Sequence, residues 1–308
     1  MKSILNTAML QKTGNPLGGR PPAAIEITPE GVLAAALPGP GQAPVYAFEP
    51  LPPGFILPGI GEPNVRAPEA VATAIRSALG QVSPRTRAVT VIVPDTVVRV
   101  FVLDFDSLPS KAAEAYPVLR FRLRKMVPFE VEHAGLSYQI LTQKKDECRV
   151  LAAVMPAAIL AEYEALVRAA GYEPGAMLPS SLAALEAIDS MEAVLLANMN
   201  SFALTTAVTN GQDLLLYRTL DLPEDPDQRL AELQRGIAVA AAYFEDRLGA
   251  PPTSIYYSGS YSTKVFTSLM GNRELNVVDL VPRPEVGAAT SLGETSIAAV
   301  AGALVGAR

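Results

Sequence analysis

The stretch VTVIVPDTVVRVFVLDF, Val89–Phe105, determines how the rest of the chain is interpreted. Its β-branched residues fall in two runs, Ala88–Val93 and Val97–Leu103, and such runs are typical of strands. Pro94-Asp95 separates the runs, and this pair favours a hairpin or a tight corner. The stretch therefore predicts two successive strands at the start of a mixed module.

A helix, a second hairpin and another helix are predicted after these strands. Ser110–Met126 predicts the first helix, and Pro156–Ala170 predicts the second. Between them, Leu136–Thr142 and Arg149–Val154 predict two strands around a charged turn. The order ββαββα over residues 88–171 predicts a compact α+β module.

The residues before this module predict part of a separate lobe. AIEITPEGVLAAAL, Ala24–Leu37, predicts two strands around a turn. Residues 38–68 contain nine prolines and five glycines, a density that forbids regular structure over most of the stretch. A helix is predicted from Pro68 to Leu79, ended by Gly80. Apolar side chains in the proline-rich stretch predict an ordered, irregular excursion: Tyr46, Phe48, Phe55 and Ile56.

The residues after the module predict a second α/β stretch. Three successive strands are predicted over Ala193–Ala197, Phe202–Val208 and Asp213–Thr219, with Asn210-Gly211 as a hairpin turn. Asp225-Pro226 then begins a helix, because its apolar residues recur at gaps of three and four.

Composition excludes several classes of function. The chain has 308 residues and a net charge of −6, which argues against a protein that coats nucleic acid. Its single cysteine, Cys148, excludes an internal disulfide, and its single histidine, His133, excludes zinc sites built from Cys and His clusters. No stretch reaches the ~18 apolar residues of a membrane span, and no signal peptide is evident, so a cytosolic protein is expected.

Three passages resemble the PilM family of actin-like proteins, which are cytoplasmic assembly proteins of type IV pili. They are residues 51–79, 90–141 and 165–188. In the second passage, Val127-Pro128-Phe129 stands where the family has Pro-Phe between a charged helix and a strand. The resemblance implies a two-lobed actin-like (ribonuclease H-like) α/β fold with a small α+β subdomain inserted in the first lobe.

The resemblance also implies a division of the chain. Residues 1–20 are expected to form a flexible tail. Residues 21–87 and 181–190 are expected to form the first lobe, residues 88–180 the inserted subdomain, and residues 191–308 the second lobe. The inserted subdomain is expected to pack apart from the cleft between the lobes.

An ATP site between the lobes is implied as well, but its first phosphate loop departs from the family pattern. Glu26 stands for the acidic residue of that loop. Thr28 and Pro29 occupy the glycine and serine positions, and Leu33 falls where a lysine is expected. Proline lacks an N–H and leucine cannot donate to phosphate, so this loop is degenerate.

The other two loops also differ from the family pattern at positions that nucleotide binding needs. In the second phosphate loop, Asn198 stands at the aspartate and Asn200 at the glycine, with Ser201 next. An amide is a weaker magnesium ligand than a carboxylate and cannot act as a base. The adenosine loop keeps one glycine in Ser258-Gly259-Ser260. The three loops together predict a relative that does not hydrolyse ATP efficiently, with no cofactor expected and ATP with magnesium as the alternative.

A basic cluster next to Phe129 is the candidate partner surface. Arg122, Arg124 and Phe129 are predicted to bind a partner, and the simpler interpretation of the arginines is a solvated helix face. By resemblance the partner is the cytoplasmic N-terminus of a PilN-like bitopic inner-membrane protein, bound as an extended peptide. Other pilus-machine components and self-association are further possible partners; nucleic acid and a direct membrane span are not expected.

The sequence therefore predicts a cytoplasmic scaffold of a type IV pilus or related secretion machine, held at the inner membrane by its partners. Two alternatives stay open. One is an active actin-like ATPase or small-molecule kinase, and the other is the cytoplasmic domain of a type II secretion platform protein. No catalytic residue and no metal ligand is assigned under the first interpretation.

Overall fold

The computed structural model describes residues 19–39, 41–61, 63–271, 275–283, 292, 294–305 and 307. Within them, strands form two five-stranded sheets and one three-stranded sheet. The strands are, in chain order, β1 (Ala23–Thr28), β2 (Gly31–Ala36), β3 (Val45–Pro50), β4 (Ala88–Val93), β5 (Arg99–Phe105), β6 (Gly135–Lys144), β7 (Glu147–Met155), β8 (Glu173–Pro179), β9 (Ala193–Met199), β10 (Ala203–Asn210), β11 (Asp213–Asp221), β12 (Ser254–Gly259) and β13 (Asn276–Asp279). The helices are α1 (Pro68–Val82), α2 (Ala112–Leu123), α3 (Ala157–Ala169), α4 (Ser180–Leu185), α5 (Pro226–Leu248), α6 (Thr263–Met270) and α7 (Ala298–Val305), with a 3₁₀ turn at Asp95–Val97.

The first lobe is built on the sheet β3-β2-β1-β4-β8. Strands β1, β4 and β8 run parallel, while β2 and β3 are added as antiparallel hairpins. Both faces of β1 and β2 are buried, which explains why these strands are continuous apolar runs. Helix α1 packs on β2 and β3, and α3 packs on α1 and β8.

The second lobe is built on the sheet β11-β10-β9-β12-β13. Its β10–β11 hairpin turns at Gly211, where φ is +58°, so the predicted Asn-Gly turn is confirmed. Helix α5 packs on β10 and β9. The Asp225 carboxylate accepts the backbone N–H of Gln228 at 2.9 Å and caps that helix as predicted.

Two helices contact both sheets and join the lobes. Helix α4 packs on β4 and β8 of the first sheet and also on β9 of the second. Helix α7 packs on α4, β1 and β2, and it also touches β12. In the α7–α4 contact, a Cβ on Gly302 would lie 1.9 Å from the carbonyl oxygen of Ala183, so only glycine fits there.

The inserted subdomain consists of the sheet β5-β7-β6 and helix α2. Strand β7 alternates between two apolar clusters. Val150, Ala152 and Val154 belong to the cluster beneath α2, whereas Leu151 and Ala153 belong to the core of the first lobe. The small sheet is therefore buried on both faces, between its own helix and the first lobe.

These contacts correct the predicted bounds of the subdomain. Residues 88–180 were expected to lie outside the central sheets, but β4 and β8 belong to the five-stranded sheet of the first lobe, β8 at its edge, and α3 covers that lobe. The insertion runs from β5 to β7, Arg99–Met155. Pro94-Asp95 therefore joins two different sheets and not two strands of a hairpin. The cause is long-range parallel pairing of β4 with β1 and β8, which local patterns do not specify.

Two other boundaries differ from the sequence prediction. Helix α7 was expected in the second lobe, but most of its contacts are with the first lobe. Of the predicted tail, residues 1–20, the first 18 residues lie outside the described part of the chain. Among the described helices, none is long and apolar enough to cross a bilayer.

The proline-rich stretch is ordered, as expected, and it contains one strand that was not predicted. Strand β3 pairs with β2 because Tyr46 and Ala47 bury their side chains in the first-lobe core. The following loop is fixed to α3, since the Glu162 carboxylate accepts the backbone N–H groups of Asn64 and Val65, each at 2.9 Å.

Candidate functional site

The cleft between the lobes lies at the carboxyl ends of the parallel strands. Strands β1, β4 and β8 end there on the first lobe, and β9 and β12 end there on the second. In open α/β sheets this edge is where ligands bind. Polar side chains follow or end these strands, and hydrogen bonds between them connect the two sheets.

Glu26 and Asn198 are brought together by a serine that the sequence analysis did not select. Ser180, the first residue of α4, donates to the Glu26 carboxylate at 2.6 Å. The Asn198 amide donates to the same hydroxyl oxygen at 2.9 Å. All three residues are buried, so a chain of hydrogen bonds runs from β1 to β9 across the cleft. These two predicted residues thus contact the same group but no open space.

The charge state of Glu26 is set by its burial. Loss of solvent raises the pKa of this carboxyl from 4.5 to about 7, although the hydrogen bond from Ser180 lowers it. The nearby carboxylates of Asp95 and Glu30 add to the rise. Near neutral pH, the buried Glu26 carboxyl is therefore partly protonated.

Asp95 is the most heavily hydrogen-bonded carboxylate in the cleft. It accepts the backbone N–H of Ser181 at 3.0 Å, and the Ser181 hydroxyl also donates to it. From the second lobe, the hydroxyl of Thr205 donates at 2.8 Å and that of Tyr217 at 3.3 Å. Burial raises the pKa of Asp95, and these hydrogen bonds act in the opposite direction. Asp95 is thus a buried link between the lobes.

Sequence reasoning missed Asp95 because Pro94-Asp95 was interpreted as a turn between paired strands. One signal was available: an acidic residue lies one proline after a buried, β-branched strand. In a parallel sheet that position lies at the ligand-binding edge. The prediction failed because β4 was assigned to the inserted subdomain.

The Glu30 side chain connects the three predicted nucleotide loops by hydrogen bonds. It lies in the turn between β1 and β2, which is the first phosphate loop by resemblance. Its carboxylate accepts a hydrogen bond from the hydroxyl of Ser201, in the second phosphate loop. It also accepts the hydroxyl of Ser260, in the adenosine loop, at 2.9 Å. Ser201 in turn lies 3.2 Å from the Tyr261 hydroxyl. A carboxylate of the protein thus occupies the meeting point of the loops.

Two predicted residues use their side chains to close their own turns. The Thr28 hydroxyl donates to the carbonyl of Gly31 at 3.0 Å and accepts the N–H of Gly31 at 3.1 Å. Asn200 accepts the N–H groups of Phe202 at 2.8 Å and Ala203 at 2.9 Å. Asn200 stands at a glycine position without taking a left-handed backbone, and its amide oxygen stabilises an Asx turn.

The remaining loop residues are buried or closely packed within their own lobes. Ser258 is buried in β12, opposite Asn198 in register. Gly259 has φ of +141°, and a Cβ there would lie 2.1 Å from the carbonyl oxygen of Met199. Leu33, at the position of the expected lysine, is fully buried in the first-lobe core. Across the described ranges, no three His, Cys, Asp or Glu side chains are placed to hold one metal ion.

The predicted partner-binding residues lie together in the inserted subdomain and away from these loops. Arg122 and Arg124 are exposed at the end of α2, and Arg124 forms an ion pair with Glu132. Phe129 is half-buried against the apolar cluster beneath α2. Nearby His133 is exposed, as expected for a surface residue. Cys148 is buried in the same cluster, and burial raises the pKa of its thiol, so it is unreactive.

Comparison with solved structures identifies the fold. A chain of the PilM-PilN type IV pilus biogenesis complex superposes with a TM-score of 0.73 at 21% identity, covering 93% of this chain and 98% of that one. The cytoplasmic domain of EpsL, an inner-membrane component of the type II secretion system of Vibrio cholerae, gives 0.52 at 10% identity, with 93% and 95% covered. A Bacteroides thetaiotaomicron protein with an actin-like ATPase fold gives 0.53 at 10% identity and the same coverage.

The fold is therefore that of the two-lobed actin-like proteins, with a small subdomain inserted in the first lobe. Within that class, the likeness to PilM that three sequence passages predicted is confirmed at the level of the fold. No protein-family profile matches the chain, and no curated protein matches it by sequence.

Proposed function

We propose that this chain is a PilM-like scaffold of a type IV pilus or related secretion machine. In this role it binds the cytoplasmic N-terminus of a PilN-like inner-membrane protein and does not hydrolyse ATP efficiently. The observation that carries the proposal is the superposition on the PilM-PilN complex, which extends over nearly the full length of both chains. The other actin-like structures align over a similar length but with TM-scores near 0.5.

The geometry of the cleft supports the part of the proposal that concerns ATP. Efficient hydrolysis needs donors for the phosphates and a carboxylate that positions metal-bound water. Here Glu30 places a negative charge among the three loops, where it repels phosphate. Glu26, the candidate acid of the first loop, is buried and bonded to Ser180. An active ATPase or small-molecule kinase would require both groups to rearrange.

The inserted subdomain offers a surface for an extended peptide. Strand β6 is at the edge of the three-stranded sheet, so its outer backbone groups are available to pair with an added strand. Phe129 packs into the cluster beneath α2, shortly before β6, and would support the bound peptide. Arg122 and Arg124 are exposed at the end of α2 in the same subdomain and would attract carboxylates of the partner.

This role would place the chain in the cytoplasm, at the inner face of the inner membrane, through its bitopic partner. Other components of the machine, and further copies of this chain, are additional partners under the proposal. The EpsL likeness keeps a type II secretion platform as the second candidate, at the lower TM-score of 0.52.

A calorimetric titration with a synthetic peptide of the cytoplasmic N-terminus of a PilN-like protein from the same organism tests the proposal. We expect saturable binding by the wild type and weaker binding by Phe129→Ala. Arg122→Glu should weaken binding most at low salt. Asp146→Ala, an exposed change in the β6–β7 turn, is the control. Absence of binding by the wild type would contradict the proposed function, and equal binding by all variants would move the site elsewhere.

A further inference from the structure

Helix α2 carries apolar residues on two opposite faces. Ala115, Leu119 and Leu123, each four residues apart, are fully buried against the small sheet. On the other side, Val118 is 36% exposed and Phe121 is 68% exposed. A surface helix needs only one apolar stripe to pack, so the outer residues contribute little to the fold.

The residues around Phe121 form one continuous surface. Side chains three and four positions away on a helix are neighbours, and for Phe121 those within α2 are Pro117 and Val118; Arg124 and Lys125 follow in the turn directly after the helix. We call these five residues the α2 outer face. All of them are exposed, and apolar side chains lie toward its amino-terminal end while cations lie toward its carboxyl-terminal end.

The charge around this face is opposite to that of the whole chain. Residues 111–132 contain five lysines and arginines against three glutamates, whereas the chain carries a net charge of −6. Two of the carboxylates are paired, Glu132 with Arg124 and Glu114 with Lys111. Arg122 and Lys125 are exposed beside Phe121, and Glu130 is the remaining acid of the segment. The face therefore favours an anionic surface.

We propose that the α2 outer face binds directly to an anionic lipid bilayer. Phe121 and Val118 would enter the headgroup region, and Lys125 of this face, with Arg122 flanking the face, would contact lipid phosphates. Helices that lie in the membrane interface combine apolar side chains with flanking Lys and Arg in this way. The exposed Phe121 and the cations beside it suit a flat anionic surface, which can cover a protruding helix face. This inference is independent of the proposed partner, because a bilayer alone is the probe.

The chain contains no tryptophan, so a single introduced indole reports on this face. The experiment uses the full chain with Phe121→Trp and vesicles of phosphatidylcholine, with or without phosphatidylglycerol. We expect the emission to shift to the blue, and brominated lipid to quench it, only with phosphatidylglycerol present. The matched control is Met191→Trp, since Met191 is 76% exposed on a different surface. Its emission should not change.

A charge-reversed variant tests the electrostatic contribution to the proposed lipid binding. The double change Arg122→Glu and Lys125→Glu is made in the Phe121→Trp variant. It should weaken vesicle binding by roughly thirty-fold at low salt. Added salt should also weaken vesicle binding by the Phe121→Trp variant itself. Circular dichroism checks that the exposed changes leave the fold intact.

Three results would overturn the proposal. The first is an unchanged emission of the Phe121→Trp variant with every vesicle, and the second is an equal shift of the Met191→Trp control. The third is a shift that occurs without lipid, either with rising protein concentration or on addition of an acidic peptide. That result would assign the face to a second copy or to a protein partner. A failed lipid test leaves the peptide titration above unaffected, so the two proposals are tested separately.

Discussion

The carboxylate of Glu30 accepts a hydrogen bond from the hydroxyl of Ser260 at 2.9 Å, although 230 residues separate the two in the chain. Its other oxygen accepts the hydroxyl of Ser201. One side chain of the first lobe therefore ties two loops of the second lobe together. In an actin-like ATPase a bound nucleotide would be expected to bridge these loops; here the protein supplies its own bridge.

Removing this bridge should loosen the contact between the lobes. Glu30→Ala is expected to lower the free energy of unfolding by about 1–3 kcal/mol, because two hydrogen bonds to a charged acceptor are lost. Amide hydrogen exchange should increase in the β1–β2, β9–β10 and β12 loops. Urea denaturation and exchange measurements check both effects. Glu192→Ala, which removes an exposed glutamate, is the control and should change neither. Identical exchange in Glu30→Ala and the wild type would argue against a bridging role.

The pH dependence of stability should report on Glu26. Its pKa is about 7 in the folded chain and 4.5 ordinarily, so the folded state holds the proton more tightly. The resulting stabilisation is complete below about pH 4.5 and is lost as the pH rises through about 7. At ~1.4 kcal/mol per pKa unit, the upper limit of the loss is roughly 3 kcal/mol.

Glu26→Gln removes that titration. The difference in unfolding free energy between the variant and the wild type should grow in favour of the variant between about pH 4.5 and 7. Asp95, whose pKa is also raised, interacts with Glu26, so the difference reports the titration of Glu26 together with its effect on Asp95. A difference that stays constant over this range would mean that Glu26 titrates normally.

The Asp95 network should be among the most sensitive points of the fold. Asp95→Asn places an amide where the backbone N–H of Ser181 and the hydroxyls of Thr205 and Tyr217 all need an acceptor. One donor or more is then left buried without a partner, at a cost of about 1–3 kcal/mol each. Thermal or urea denaturation measures the loss. Asp146→Asn, an exposed change in the β6–β7 turn, should be neutral, and equal effects of the two substitutions would contradict the network.

Replacing each of two helical glycines with alanine should have opposite effects on the stability of the chain. Gly302→Ala inserts a methyl group 1.9 Å from the Ala183 carbonyl oxygen, so α7 must move away from α4 and stability should fall by several kcal/mol. Gly80 lies within α1 with no atom within 4 Å of its Cβ position. Gly80→Ala should therefore stabilise the chain by about 0.5–1 kcal/mol. A neutral Gly302→Ala would show that the α4–α7 contact is looser than described.

Local patterns were sufficient for the elements whose determinants are close in the chain. Helix α5 follows from its Asp225 cap and its apolar repeat, and the β10–β11 hairpin follows from Asn210-Gly211. Gly80 was a false signal: it was interpreted as the end of α1, but the helix continues to Val82, and Ser83 takes the left-handed cap conformation.

The features that depend on distant residues could not be predicted in the same way. Whether β4 joins the central sheet or the insertion depends on its pairing with β1 and β8, far away in sequence. The structure brings the predicted residues Glu26 and Asn198 together through Ser180, but the partners of the predicted loop residues were missed. Ser180 joins Glu26 across 154 residues, and Glu30 joins Ser201 across 171. Nothing in the local sequence of these serines marks them as partners of a carboxylate.

We propose that hydrogen bonds between the protein's own side chains hold the cleft together. Under this proposal the chain acts by binding partners and does not turn over ATP. The most direct test is the melting temperature of the purified chain with and without saturating MgATP. A ligand at ~100 times its dissociation constant adds about 2.7 kcal/mol of stability. We predict no shift for the wild type. A shift of that size, accompanied by ATP turnover that disappears in Glu26→Ala, would contradict the account.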